Sequence, residues 1–248
     1  MSGHALQLGD TRVDLLDGGG LALDGGAMFR VVPRAMWEKV APPDERNRVR
    51  LAMRPLLVRA RGRTVLVDTG IGPERREAAF ADRVGLVPAA PLEDQLAALG
   101  VAPDEVDLVV LTHLHFDHAG GLLRADGAPR FPRARVAVQR EELEDARAEC
   151  PLCRASYVQD DWRALADRFD LLDGDAEVAP GVTVQRTGGH TRGHQVVRVR
   201  GDGGPGPPGV VFWGDLVPTA AHLRPHWVMG FDLYPVEAWE RKRDLLAP

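Results

Sequence analysis

The chain has 248 residues, with 31 basic and 36 acidic side chains and a formal net charge of −5. That balance argues against a phosphate-backbone footprint, which needs clustered Lys and Arg, because the arginines are scattered and lysine occurs only at Lys39 and Lys242. No apolar run reaches the roughly 18 residues of a membrane span, and Met1-Ser2-Gly3-His4-Ala5-Leu6 lacks the charged and apolar parts of a leader. Two cysteines suit a reducing compartment, so a cytoplasmic protein with neither nucleic-acid nor membrane partner is expected. With no repeat and no long linker, one domain over residues 1–248 is expected.

In chain order, residues 17–37 form a Gly-rich segment that carries Met28, Phe29, Met36 and Trp37. Residues 63–67 read as a strand that runs into Asp68-Thr69-Gly70. Residues 106–111 are short, β-branched and apolar on both faces, which predicts a buried strand of a sheet covered on each side. It leads into Thr112-His113-Leu114-His115-Phe116-Asp117-His118-Ala119-Gly120-Gly121, where three imidazoles and a carboxylate occupy six positions. Leaving the strand, His113 and His115 are two apart and can project to one side, while the following loop turns Asp117 and His118 back toward the same space. Imidazole nitrogen and carboxylate oxygen are ligands of Zn²⁺ and related first-row metals, so this run predicts a metal site.

Cys150-Pro151-Leu152-Cys153 is a lone C-x-x-C where a helix gives way to a loop. No second pair completes a zinc site, and a redox role is the weaker reading. Residues 182–186 alternate like a strand and run into Thr187-Gly188-Gly189-His190-Thr191-Arg192-Gly193-His194, where glycines bring His190 to a strand's end. The turn-rich residues 202–209 join two strand patterns at hairpin distance. Residues 209–213 form another apolar strand that ends at Gly214-Asp215, so each apolar strand delivers a polar group at its C-terminal end. Residues 235–246 predict an amphipathic helix, with Pro235 at its start and basic residues near its end.

His113, His115, Asp117 and His118, then His190 in a variant of the Thr-Pro-Gly-His-Thr-x-Gly-His element, then Asp215, make this chain resemble the metallo-β-lactamase fold superfamily. The resemblance implies an α/β fold, a four-layer αββα sandwich with its metals at one edge. It implies that His113, His115 and His190 hold a first metal, that Asp117 and His118 hold a second, and that Asp215 bridges them. Two Zn²⁺ per chain are the implied cofactor, with Mn²⁺ or Fe²⁺ as alternatives. Asp68, in the family's Asp-Thr-Gly, supports the metal loop from behind.

Residues 17–37 are similar to the lactonase-like branch, which includes the acyl-homoserine lactonases. On that resemblance Met28, Phe29, Met36 and Trp37 wall a substrate pocket, with core packing the alternative, and His194 and His222 are donors to a leaving oxygen. The implied function is hydrolysis by a metal-bound hydroxide, with Asp117 or Asp215 handling the proton, that opens a lactone or cleaves a related small-molecule ester. A glyoxalase II-type thioesterase or β-lactamase, a mononuclear iron persulfide dioxygenase and an inactive binding module are the other readings. The diiron flavoproteins of this fold carry Glu where His115 stands. A homodimer is left open. One departure stands out: the superfamily takes a further metal histidine from a strand after its last helix, whereas this chain ends at Asp244-Leu245-Leu246-Ala247-Pro248. A fold lacking its C-terminal end is therefore expected, with a weak second metal site. His222 or His226 is a candidate substitute ligand, with pocket lining or surface packing the preferred role of both, and His226, between Pro225 and Trp227, is expected to pack.

Overall fold

The computed structural model describes residues 4–148, 151, 153–201 and 209–247. Seven strands form the larger sheet: β1 (Ala5–Leu8), β2 (Thr11–Leu15), β5 (Leu56–Ala60), β6 (Arg63–Val67), β7 (Leu108–Val110), β8 (Arg135–Gln139) and β9 (Phe169–Leu172), in that spatial order. Pairing is antiparallel from β1 to β6 and parallel from β6 to β9. A second, antiparallel sheet holds β10 (Ala176–Ala179), β11 (Val182–Arg186), β12 (Gln195–Val199) and β13 (Val210–Phe212). A separate ribbon pairs β3 (Gly20–Asp24) with β4 (Arg48–Ala52). The helices are α1 (Gly25–Phe29), α2 (Arg34–Trp37), α3 (Ala78–Arg83), α4 (Leu92–Ala98), α5 (Phe116–Ala119), α6 (Arg140–Arg147) and α7 (Pro235–Leu245).

Alternation along the central strands explains the layering. Val58, Val65, Val67 and Val110 point to the inter-sheet core, where they join Val182, Val184, Val197 and Val199. Their neighbours Leu57, Leu66 and Val109 point the other way, into a core with Leu92 and Leu96 of α4 and Leu143 and Ala146 of α6. On the far side, Val196 of β12 packs with Leu216 and with Ala238 of α7. The layers therefore run helix, sheet, sheet, helix, the four-layer sandwich expected from the sequence. β7 has only three residues, and all three are buried. Burying a Val or Leu contributes roughly 1.5–3 kcal/mol, so packing on both faces, more than ladder length, holds this strand in place.

The strands read at 63–67 and 182–186 are β6 and β11, the strand read at 209–213 is β13, and the helix read at 235–246 is α7. One local expectation is corrected. Asp117 and His118 lie on the single turn α5 and not on an open loop, because the backbone N–H groups of His118 and Ala119 both donate to His115 O. Of the C-x-x-C pair, Cys150 lies outside the described residues, as do 202–208 of the turn-rich loop, while Cys153 packs in the core around Trp162 and Tyr157. Among the described residues, no helix is long and apolar enough to cross a membrane.

Candidate metal centre

β6 and β7 are parallel neighbours, so both end at the same edge of the sheet, and the residues that follow them meet. Asp68, in left-handed backbone at φ 54°, directs its carboxylate at the chain leaving β7. It accepts the Thr112 N–H at 2.8 Å and the Thr112 hydroxyl at 2.9 Å. Its Oδ2 also accepts from His118 Nδ1 at 2.7 Å. Thr112, having given its proton to Asp68, accepts from His113 Nδ1 at 3.0 Å. Both imidazoles are thus turned with Nε2 away from their supports, the tautomer that a metal-binding nitrogen needs.

His190, delivered by the turn after β11, meets this group. Its Nδ1 is held by Asp232 Oδ1 at 3.0 Å, and its Nε2 lies 3.1 Å from His115 Nδ1. His113, His115 and His190 are buried and offer nitrogens within 4.8 Å of one another. A second group of the same compactness joins His113, His118 and Asp215. Asp215 stands between the two, with Oδ2 at 3.4 Å from His190 Nε2 and Oδ1 at 3.2 Å from His118 Nε2. Asp117 Oδ2 lies 3.6 Å from His118 Nε2.

The donors fit a divalent cation. His113 Nε2 is buried with no hydrogen-bond partner, a costly state that a bound cation would relieve. Burial, then the neighbouring imidazoles, push the pKa values of His113 and His115 well below the usual histidine range, so both are neutral and present lone pairs. Burial opposes charge on His118 too, but the carboxylates of Asp117, Asp215 and Asp68 outweigh it and raise its pKa. At His190 burial is likewise outweighed, by Asp215 and Asp232. Burial also works against ionised Asp215, yet His118 and His190 hold its pKa far below the carboxylate range. Burial, helped by Asp215, raises that of Asp117. The carboxylates lean on two imidazoles for positive charge, a role that a cation takes in sites with this donor set.

The centre opens into a cavity of about 410 Å³, whose lining includes His115, Asp117, His118, His190 and Asp215. Leu21, Leu23, Met28, Met53, Met229 and Phe231 contribute apolar walls. Of the residues expected to wall a pocket, only Met28 lines it. Phe29 and Trp37 are buried in a separate core, stacked on each other with ring centroids 5.2 Å apart, and Met36 is exposed. Nor does the structure bring His222 to the centre. Its Nε2 donates to Met28 O at 2.9 Å, its Nδ1 lies 2.7 Å from Thr219 Oγ1, and its ring stacks on Phe29, so neither nitrogen is available as ligand or donor. His194 lies behind the centre and does not line the cavity: Nδ1 is 2.7 Å from Thr187 Oγ1, and Nε2 accepts the Asp215 N–H at 3.1 Å. It steadies the turn that carries Asp215. His226 is exposed. Asp232, which orients His190, went unread in the sequence, where a lone Asp in Gly230-Phe231-Asp232-Leu233 gives no signal.

Residues 55–247 match the family model described as the metallo-beta-lactamase superfamily. An N-acyl homoserine lactonase of Bacillus thuringiensis is 36% identical over 141 residues, 53% of this chain and 51% of that protein. The N-acyl homoserine lactonase AttM of Rhizobium radiobacter is 34% identical over 113 residues, 43% of this chain and 41% of that protein. The matched stretch thus spans about half the length of these relatives at most. Among solved structures, a probable metal-dependent hydrolase from Staphylococcus aureus superposes with a TM-score of 0.91 at 31% identity, covering 96% of this chain and 84% of that one. AidC, a dizinc quorum-quenching lactonase with a bound product, shares the fold with a TM-score of 0.78 at 19% identity, over 98% of this chain and 85% of its own. Sandwich, histidine positions and family match agree over most of the length, and the chain belongs to the metallo-β-lactamase superfamily.

Proposed function

We propose that this chain is a metal-dependent hydrolase that opens the ring of a small lactone bearing an apolar tail. The observation that carries this reading is one cavity lined both by the imidazoles and carboxylates of the centre and by Leu, Met and Phe side chains. The lactonase relatives support it. His113, His115 and His190 would hold one Zn²⁺, and His118 with Asp117 a second, with Asp215 shared between them. Bound there, such ions lower the pKa of water toward ~7 and polarise a carbonyl oxygen. The protein's own side chains do the rest. The apolar walls receive the tail and exclude water, and the ring carbonyl lies against the imidazoles and carboxylates. Asp215, ionised throughout, keeps the charge of the centre balanced. Asp117, which lines the cavity beside His118, accepts the proton released on attack at the carbonyl and returns it to the ring oxygen as that bond breaks, giving a hydroxy acid.

The test is a substrate panel with protein loaded with Zn²⁺ or Mn²⁺. Acyl lactones and aryl esters should turn over faster than a β-lactam or a glutathione thioester. Parity or reversal would move the reading to a thioesterase or β-lactamase. His113→Ala and His190→Ala should each abolish turnover and lower bound metal, whereas the exposed His226→Ala should leave both unchanged.

A further inference from the structure

α6 carries a carboxylate where an amphipathic helix puts apolar groups. Glu142 is 0% exposed and shares the buried face of α6 with Leu143 and Ala146. Its Oε1 accepts the Leu114 N–H and the Tyr157 hydroxyl, each at 2.9 Å, and its Oε2 accepts the Thr191 hydroxyl at 2.5 Å. Leu114 sits between His113 and His115, and Thr191 follows His190. One side chain is therefore bonded to both loops that bring the three imidazoles together. Tyr157 lies edge-on to the His115 ring with centroids 4.7 Å apart, so the third donor also braces an imidazole.

The same helix grips the second loop at two further points. A Cβ at Gly193 would lie 2.4 Å from the Glu142 backbone nitrogen, so the loop can lie this close to the helix only with glycine there. Arg192 donates to Asp145 at 2.7 Å and to Glu144 at 3.0 Å. Burying a carboxylate costs several kcal/mol before its hydrogen bonds are counted, and a Leu at 142 would pack this face of the helix without that cost. Satisfying one helix's packing does not account for a Glu here; joining two loops does.

We propose that Glu142 is the positioning residue that sets the separation of His113 and His115 from His190, by tying their loops to a common point on α6. The proposal rests on the metal reading above only for what the three imidazoles bind. A Gln at 142 can keep every tie: its carbonyl accepts from Leu114 and Tyr157, and its amide donates to a turned Thr191 hydroxyl. Leu at 142 keeps none, and Val at 191 cuts only the tie to the His190 loop.

The experiment measures Zn²⁺ affinity by competition with a chromophoric chelator, and hydrogen exchange of segments 113–118 and 188–194 in metal-free protein. Thr191→Val and Glu142→Leu should lose about 10–100-fold in affinity for the tighter ion, the scale seen when a group behind a ligand is removed. Glu142→Gln should stay within about tenfold of the wild type. In Thr191→Val, exchange should quicken in 188–194, with the urea midpoint showing a folded chain even if Glu142→Leu fails to fold. Wild-type affinity in Thr191→Val, or a Glu142→Gln as impaired as Glu142→Leu, would overturn the clamp. A wild-type chain that bound no metal would sink the functional reading alone, and exchange would still decide the clamp: faster exchange in 188–194 on Thr191→Val supports it, and unchanged exchange overturns it.

Discussion

Two imidazoles at the centre are each held on Nδ1 by a buried carboxylate, His118 by Asp68 at 2.7 Å and His190 by Asp232 at 3.0 Å. Such partners fix the tautomer and make the opposite nitrogen a better ligand. Asp232 acts on His190, whereas Asp68 acts on His118 directly and on His113 only through Thr112, so the two should differ in which ion they weaken most. Asp232→Asn should weaken the ion that His113, His115 and His190 would hold, by about 10–100-fold, and Asp68→Asn should weaken most the one that His118 and Asp117 would hold, by a similar factor, with a smaller loss at the first through Thr112 and His113. A two-step Zn²⁺ titration reads both, and equal losses at both steps from either variant would contradict the assignment. Asp68 could be read from the sequence because it ends a recognisable strand in Asp-Thr-Gly. Asp232 could not, since it lies 42 positions from His190 in a stretch without periodicity. Glu142 did leave a trace, a charged residue four positions before Ala146 on the core side of a helix. His222 misled for a local reason. Thr219, three residues earlier, supplies the hydroxyl that occupies its Nδ1.

At the scale of elements, the sequence was informative wherever burial imposed a period or removed one. β7, apolar on both faces, and β11, alternating, were both legible for that reason. The single turn α5 was not, because four residues are too few to show a 3.6-residue repeat. The ribbon β3–β4 was not, because β3 starts within the glycines at 18–20 and ends against those at 25–26, which mask its alternation. The turn after β11 departs from its family: Gly188 stands where the common element has Pro, and it adopts φ 62°. Proline is locked near −65°, so the common residue cannot take this path. Gly188 also donates its N–H to His194 O at 3.1 Å, a bond that proline lacks. Restoring the family residue should therefore do harm. Gly188→Pro is expected to lower unfolding stability by on the order of 3 kcal/mol and to weaken metal binding through His190. Urea unfolding with a parallel Zn²⁺ titration checks this, and a variant as stable as wild type would mean that the turn follows the family path.

The whole molecule depends on how α7 closes the outer layer, since Ala238 packs with Val196 and Leu216 while Lys242 reaches inward. Basic residues near the end of this helix suit its dipole, yet Lys242 is buried and its Nζ donates to Trp227 O at 2.5 Å. Desolvation, opposed by Asp232, lowers its pKa from 10.5 to about 8. Below pH 8 the lysine is charged in both the folded and unfolded chains, and the full penalty of burying that charge is present. Between about 8 and 10.5 the folded chain has lost the proton while the unfolded chain still holds it, so stability rises with pH. Above 10.5 both are neutral and the gain is complete. Each pKa unit is worth about 1.4 kcal/mol, which sets a ceiling of about 3.5 kcal/mol for the effect. Lys242→Met removes the titration and leaves every other ionisable group in place, so the difference between the two proteins isolates it. Urea unfolding of the metal-free chains, with chelator present to keep metal binding out of the balance, should show wild type gaining on Lys242→Met from pH 8 to pH 10. A difference that stayed flat across that range would mean that the end of α7 opens in solution and leaves Lys242 hydrated.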